Sequence, residues 1–267
     1  MPFEIQAHRG ARAFYPENTI QAFCKAADLG CRVIELDLVV SSDRRILVSH
    51  DPWIQYPADS GSSQTNLYSI SYEEISLVDC GIVSPDFPGQ KRIRACRPLL
   101  SEVFHAVEAH LCRIGRPGGL IYNLEVKSWA GKDGLLHPSP ADYAELVLQD
   151  ISASGISGRI RLQSFDDRIL TEAKRMQPAL CYGLLVEERT ALDSFPFRPG
   201  FVPEYVNPCR CIVQRELIMT MHELGSKVVV WTVNSREEMI LMRKLGADGI
   251  ITDHPELALE LHELTGE

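Results

Sequence analysis

The chain has 267 residues, 45% hydrophobic and 24% charged, and no Pro/Gly/Ser-rich linker divides it, so one soluble domain over 1–267 is expected. Its 36 acidic against 27 basic side chains leave a formal net charge of −9, which opposes non-specific attraction to nucleic acid or an anionic membrane. No apolar run approaches the length of about 18 residues that a spanning helix needs, and "MPFEIQAHRG" is not a basic-then-apolar leader, so a cytoplasmic protein without stable membrane insertion is expected.

Taken in chain order, apolar runs rich in Val, Ile and Leu predict strands over 4–8, 32–38, 119–126, 159–164, 181–186, 204–207, 227–233 and 248–252. Segments of helical periodicity separate them. The first, "PENTIQAFCKAADLG", places Pro16 before its first turn, Glu17 near its positive end, an apolar face through Ile20, Phe23 and Ala27, and Gly30 as its stop. Others are "LLSEVFHAVEAHL", "SPADYAELVLQDISAS", "DDRILTEAKRM", "VQRELIMTMHELG", "SREEMILMRKLG" and "PELALELHELT". Eight strands alternating with helices predict an α/β protein with a closed (β/α)₈ TIM barrel; an open doubly wound sheet is the alternative.

Between the second strand and the helix near Leu99 the rhythm breaks. This stretch predicts an insertion lobe over about 51–98, placed over the barrel mouth and too poor in apolar residues for a core of its own. Eight cysteines in a chain without a leader predict reduced thiols, and "NPCRCI" lacks the second thiol pair of a metal site.

In "VIELDL", Glu35 and Asp37 are two apart, so a strand sends both carboxylates to one face. Glu125 and Lys127 in "YNLEVKS" repeat the spacing on the next barrel strand. Three carboxylates buried together repel unless something neutralises them. A salt-bridge cluster inside the barrel is one solution. A hard divalent cation, Mg²⁺ or Ca²⁺, is the other, since no soft ligand accompanies the oxygens. All lie near the C-terminal ends of their strands, the face on which barrel active sites are built. His8 and His50 each close a short apolar stretch at that face, and two imidazoles there suit an acid and base pair. The histidines at 105, 110, 137, 222 and 262 receive no role, and His254 is read as a loop residue near the mouth.

"HRGARAFYPENT", "ELDLVVSSDRRILVSHD", "RPLLSEVF", "YNLEVK", "QSFD", "WTVN" and "ADGIITDHP" occur in the order and at the spacing of the glycerophosphodiester phosphodiesterase family, which the chain resembles from His8 to Pro255. The resemblance implies hydrolysis of a small-molecule glycerophosphodiester to glycerol 3-phosphate and an alcohol. It implies a divalent cation (Mg²⁺ or Ca²⁺) on Glu35, Asp37 and Glu125, and His8 with His50 as the acid and base. It also implies Arg9 and Lys127 on the phosphate and Trp231 beside the glycerol. It favours attack by the glycerol 2-hydroxyl over direct attack by water, and no residue here decides between them. Another phosphodiester (a lysophospholipid or a sugar phosphodiester) and a non-catalytic phosphodiester-binding barrel are the alternative readings. The lobe departs from the family after "HD"; Trp53, Tyr56 and Tyr68 there either meet a head group or pack, with packing preferred. The oligomeric state stays open.

Overall fold

The structure, a computed structural model, describes residues 3–55, 64–188 and 200–264, the side chains of 262–264 excepted. Its elements in chain order are β1 (Glu4–Ala7), α1 (Ile20–Asp28), β2 (Val33–Val40), β3 (Ile46–Val48), β4 (Trp53–Gln55), β5 (Gln64–Asn66) and α2 (Tyr72–Ser76). There follow α3 (Leu100–Arg113), β6 (Ile121–Val126), α4 (Pro140–Ala153), β7 (Ile160–Ser164), α5 (Asp167–Met176), β8 (Cys181–Val186), β9 (Tyr205–Pro208), α6 (Arg215–Glu223), β10 (Lys227–Val230), α7 (Arg236–Leu245), β11 (Gly249–Thr252) and α8 (Pro255–Leu264).

Eight of these strands pair in parallel in the order β1, β2, β6, β7, β8, β9, β10, β11, and β11 returns to β1, which closes the barrel. The open-sheet alternative is thereby excluded. Each strand alternates between two environments. Residues such as Ile34, Leu36, Tyr122, Leu124 and Leu162 face the helices and form the main core with Phe23, Val103, Val147 and Ile169, while the alternate positions of the same strands point into the barrel. Around Tyr205, Val229 and Ile251 that interior is apolar. Elsewhere it is polar: Asn123 donates to Gln6 at 2.8 Å and to Gln163 at 3.0 Å, and Asn207 donates to Gln163 at 2.6 Å. Below them Arg161 grips both oxygens of Glu4 at 2.7 and 2.8 Å, a fork-to-fork pair that closes the floor.

The structure corrects the reading of several boundaries. β2 runs to Val40, two residues past its expected end, because β3 pairs with it antiparallel from Leu38 to Val40. β10 stops at Val230, and Trp231 makes only an isolated bridge to Cys209. α1 begins later than expected: Thr19 is its N-cap, accepting from the Ala22 N–H, and no acidic residue lies in its first turn. Glu17 therefore serves no helix dipole. Cys209 and Cys211, expected to be reduced, are joined as a disulfide, whereas the other described cysteines are free.

The insertion folds onto the barrel through a small cluster of Ile54, Leu67 and Ile75 with Val39, Leu47 and Leu99. Three of those six residues belong to the barrel side, so the lobe shares its core with β2 and β3. Tyr68 packs half-buried against the main core as expected, Trp53 stays 38% exposed, and Tyr56 lies outside the described residues.

The turn after β1 is tight. Gly10 has a φ of 86°, and a Cβ there would lie 2.7 Å from the Ala22 carbonyl carbon, so both the conformation and the space require glycine. Gly10→Ala is expected to destabilise the protein by about 2 kcal/mol or more, read as a lower midpoint in urea; an unchanged midpoint contradicts this packing.

Candidate active site

β2 and β6 pair so that Asp37 lies beside Glu125 and Glu35 beside Asn123. Ligand oxygens of Glu35, Asp37 and Glu125 all lie within 4.8 Å of one another, and all three residues are buried. Two cations meet them. Lys127 Nζ sits 2.6 Å from Glu125 Oε1 and 3.1 Å from Asp37 Oδ1, and Arg9 Nε sits 3.2 Å from Asp37 Oδ2. Arg9 reaches this position from a backbone with φ of 53°, an uncommon conformation for a large side chain. Asn18 (φ 57°) locks the turn: its N–H donates to the Arg9 carbonyl at 3.0 Å and its side-chain Nδ2 donates to Asp37 Oδ2 at 2.8 Å. The "PENT" segment is thus a clamp on Asp37, and Glu17 bridges Arg9 at 2.9 Å and Arg12 at 2.7 Å.

The charges do not balance. Burial together with Asp37 and Glu125 pushes the Glu35 carboxyl well above its ordinary range, with Arg9 opposing. Burial also raises Glu125, and Asp37 adds to this while Lys127 opposes it. For Asp37 burial acts upward, but Lys127 and Arg9 outweigh it and hold that carboxyl below its ordinary range. Asp37 Oδ1, though near Lys127, is buried without a hydrogen-bond partner. An oxygen-only donor set, one orphaned carboxylate oxygen and more negative than positive charge fit a hard divalent cation. Among the described residues no other such cluster occurs.

A cavity of about 240 Å³ opens beside the cluster, lined by His8, Arg9, Glu35, His50, Glu125, Lys127 and Trp231. Asp37 lies behind them, fully buried. Every expected site residue therefore converges on one spot. His8 Nδ1 is 2.7 Å from Asp253 Oδ1, and His50 Nδ1 is 2.8 Å from Asp51 Oδ1. An ionised carboxylate only accepts, so each pair places the ring proton on Nδ1 and leaves Nε2 as the other nitrogen. The two supports differ. Asp253 is 6% exposed in its side chain and is held by Asn234 Nδ2 at 2.7 Å and by Arg12, whereas Asp51 is 71% exposed. Trp231 donates through Nε1 to the Asn207 carbonyl at 2.6 Å and meets Phe165 edge-on.

Sequence reading missed Asp253, Gln163, Phe165 and Glu187, all at strand ends facing the mouth. "TDHP" carried the signal for Asp253; its neighbour His254 meets Glu256 Oε1 at 3.1 Å and the Phe87 ring at 5.7 Å between centroids. His137 is buried and accepts at Nε2 from the Trp129 N–H at 2.9 Å, a structural contact.

The sequence model described as the glycerophosphoryl diester phosphodiesterase family matches residues 8–257. The chain belongs to this family. A glycerophosphodiester phosphodiesterase from Caldanaerobacter subterraneus subsp. tengcongensis is 31% identical over 96% of each chain. A crystal structure from Silicibacter pomeroyi superposes with a TM-score of 0.86 at 25% identity, covering 99% of this chain and 94% of that one. An Oleispira antarctica phosphodiesterase in complex with the product sn-glycerol-3-phosphate shares the fold, with a TM-score of 0.78 at 18% identity over 97% and 96% of the two chains.

Burial acts to raise Asp253, but the hydrogen bond from His8, the charges of His8 and Arg12, and Asn234 outweigh it and hold the carboxyl below its ordinary value. That contribution to stability is complete above the unfolded value of about 3.9 and is lost as pH falls through the lower folded value. Asp253→Asn is expected to melt below the wild type at about pH 6 and to lose less stability between about pH 5 and pH 2. Parallel melting profiles for the two proteins contradict this.

Proposed function

We propose that the protein hydrolyses glycerophosphodiesters to glycerol 3-phosphate and an alcohol, with a divalent cation on Glu35, Asp37 and Glu125. The observation that carries this reading is the convergence of two imidazoles, each backed by a carboxylate, on a cavity that the acidic cluster borders. The glycerol 3-phosphate bound to the Oleispira antarctica phosphodiesterase supports the choice of product.

A phosphodiester resists attack because its anionic oxygens repel a nucleophile. When bound, Mg²⁺ or Ca²⁺ supplies Lewis-acid charge at those oxygens. Arg9 and Lys127 add fixed positive charge that counts for more as the transition state gathers negative charge. For Lys127 burial acts downward, but Asp37 and Glu125 outweigh it and keep the ammonium charged. Trp231 closes the wall on which the glycerol would rest, held flat by its bond to Asn207.

His8, oriented by the buried Asp253, takes the proton from the attacking hydroxyl at Nε2. His50 stands at the edge of the barrel, where the lobe begins, and gives its proton to the departing alcohol oxygen. With the glycerol 2-hydroxyl as nucleophile this leaves a cyclic phosphate; water then adds to phosphorus, giving a proton to His50, as the bond to the 2-oxygen breaks and His8 returns its proton to that oxygen, which yields glycerol 3-phosphate and resets both rings.

His8→Ala and His50→Ala are each expected to lower kcat by about 10²–10⁴-fold, His50→Ala at an unchanged melting temperature and His8→Ala at a lowered one, because the buried Asp253 loses its hydrogen-bond partner. On glycerol 3-(p-nitrophenyl) phosphate, whose leaving group needs no proton, the His50→Ala deficit shrinks and the His8→Ala deficit does not. The reverse pattern exchanges the two roles, and full turnover in both variants contradicts acid–base catalysis by this pair. Chelation is expected to abolish turnover, and added Mg²⁺ or Ca²⁺ to restore it; turnover that survives chelation contradicts the cation's part in the reaction.

A further inference from the structure

A second cavity, about 340 Å³, lies between the barrel rim and the lobe, and His50 lines both it and the reaction cavity. It is within the size of small-molecule pockets, about 300–1,000 Å³. Among the described residues three carboxylates border it, but two are already engaged. Glu17 holds Arg9 and Arg12, and Asp79 accepts from Arg92 Nη2 at 2.7 Å and from the backbone N–H groups of Gly81 and Ala95. The third, Asp51, is 71% exposed and uses one oxygen on His50.

Arg97 also lines this cavity. Its Nε donates to Ser49 Oγ at 3.2 Å, and among the described residues no carboxylate lies within ion-pair distance of its guanidinium. Ser49 Oγ in turn donates to the Asp51 carbonyl at 2.9 Å. One hydroxyl therefore ties the available cation to the turn that carries both the available anion and the proposed proton donor His50. Trp53, expected to pack inside the lobe, instead exposes 38% of its surface and forms part of the same wall.

We infer that this cavity is the head-group site and that it selects an alcohol bearing both an ammonium and a carboxylate, an amino-acid head group. The carboxylate pairs with the forked N–H groups of Arg97. The ammonium sits between Asp51 and the face of Trp53. The ester oxygen between this head group and the phosphorus then lies at His50, the wall that the two cavities share. This inference rests on the diesterase reading of the site and names the substrate class within it.

The test compares glycerophosphoserine, glycerophosphoethanolamine and glycerophosphocholine on wild type and Arg97→Gln. Wild type is expected to favour the serine diester, and Arg97→Gln to reduce the serine-to-ethanolamine ratio of kcat/KM by about tenfold or more, chiefly through KM. Both substrates meet the same folded fraction, so the ratio is insensitive to misfolding. A ratio unchanged by Arg97→Gln overturns the inference and leaves the hydrolase reading standing. Calorimetric titration of chelated protein with glycerophosphoserine separates the other failure. Binding that weakens in Arg97→Gln without turnover in any metal supports the head-group site while the hydrolase reading falls, and absence of both binding and turnover overturns both.

Discussion

Three carboxylates buried within one ion's reach of each other are the constraint around which this molecule is arranged. Burying charge costs several kcal/mol per group unless it is compensated, and a barrel mouth that carries Glu35, Asp37 and Glu125 has to provide that compensation. Arg9 and Lys127 supply part of it, both brought to Asp37 by the strands that flank β2, and Lys127 also meets Glu125 on its own strand. The turn after β1, with its left-handed Arg9, Gly10 and Asn18, exists in this form because it must deliver a guanidinium to Asp37 and an amide to the same carboxylate. The remainder of the compensation is what the proposed cation would supply.

Rigidity below the mouth follows from the barrel's polar interior. Buried amides of Gln6, Asn123, Gln163 and Asn207 hydrogen-bond across four strands, and Gln163 Nε2 comes within 3.4 Å of Glu35 Oε1. Because Gln163 Oε1 accepts from two neighbours, its remaining N–H groups face the carboxylate, which keeps that oxygen aligned. The Arg161–Glu4 pair seals the floor beneath. Chemistry at one end therefore stands on a chain of satisfied polar contacts, with apolar packing confined to the layer between strands and helices.

Much of this was legible in the residues. All eight barrel strands were marked by their apolar runs, and period-two spacing placed Glu35 with Asp37 and Glu125 with Lys127. What escaped has a common physical origin: it depends on register between distant segments. Asp253 supports His8 from 245 positions away, and Asn18 reaches Asp37 only because the chain turns back before α1 rather than entering the helix at Pro16. The inward amides looked like ordinary polar alternation on strands. Trp53 looked like lobe packing because sequence gives no sign of which face of a short hairpin the barrel rim leaves open.

The central claim is that the acidic cluster is completed by a divalent cation, and calorimetric titration of chelated protein with Mn²⁺ tests it most directly. The account predicts a single site per chain, because ligand oxygens of Glu35, Asp37 and Glu125 lie within 4.8 Å of one another, and predicts its loss in Glu35→Gln. Binding that persists unchanged in Glu35→Gln, or no binding to the wild-type protein, would contradict it and leave the cluster as a salt-bridge network.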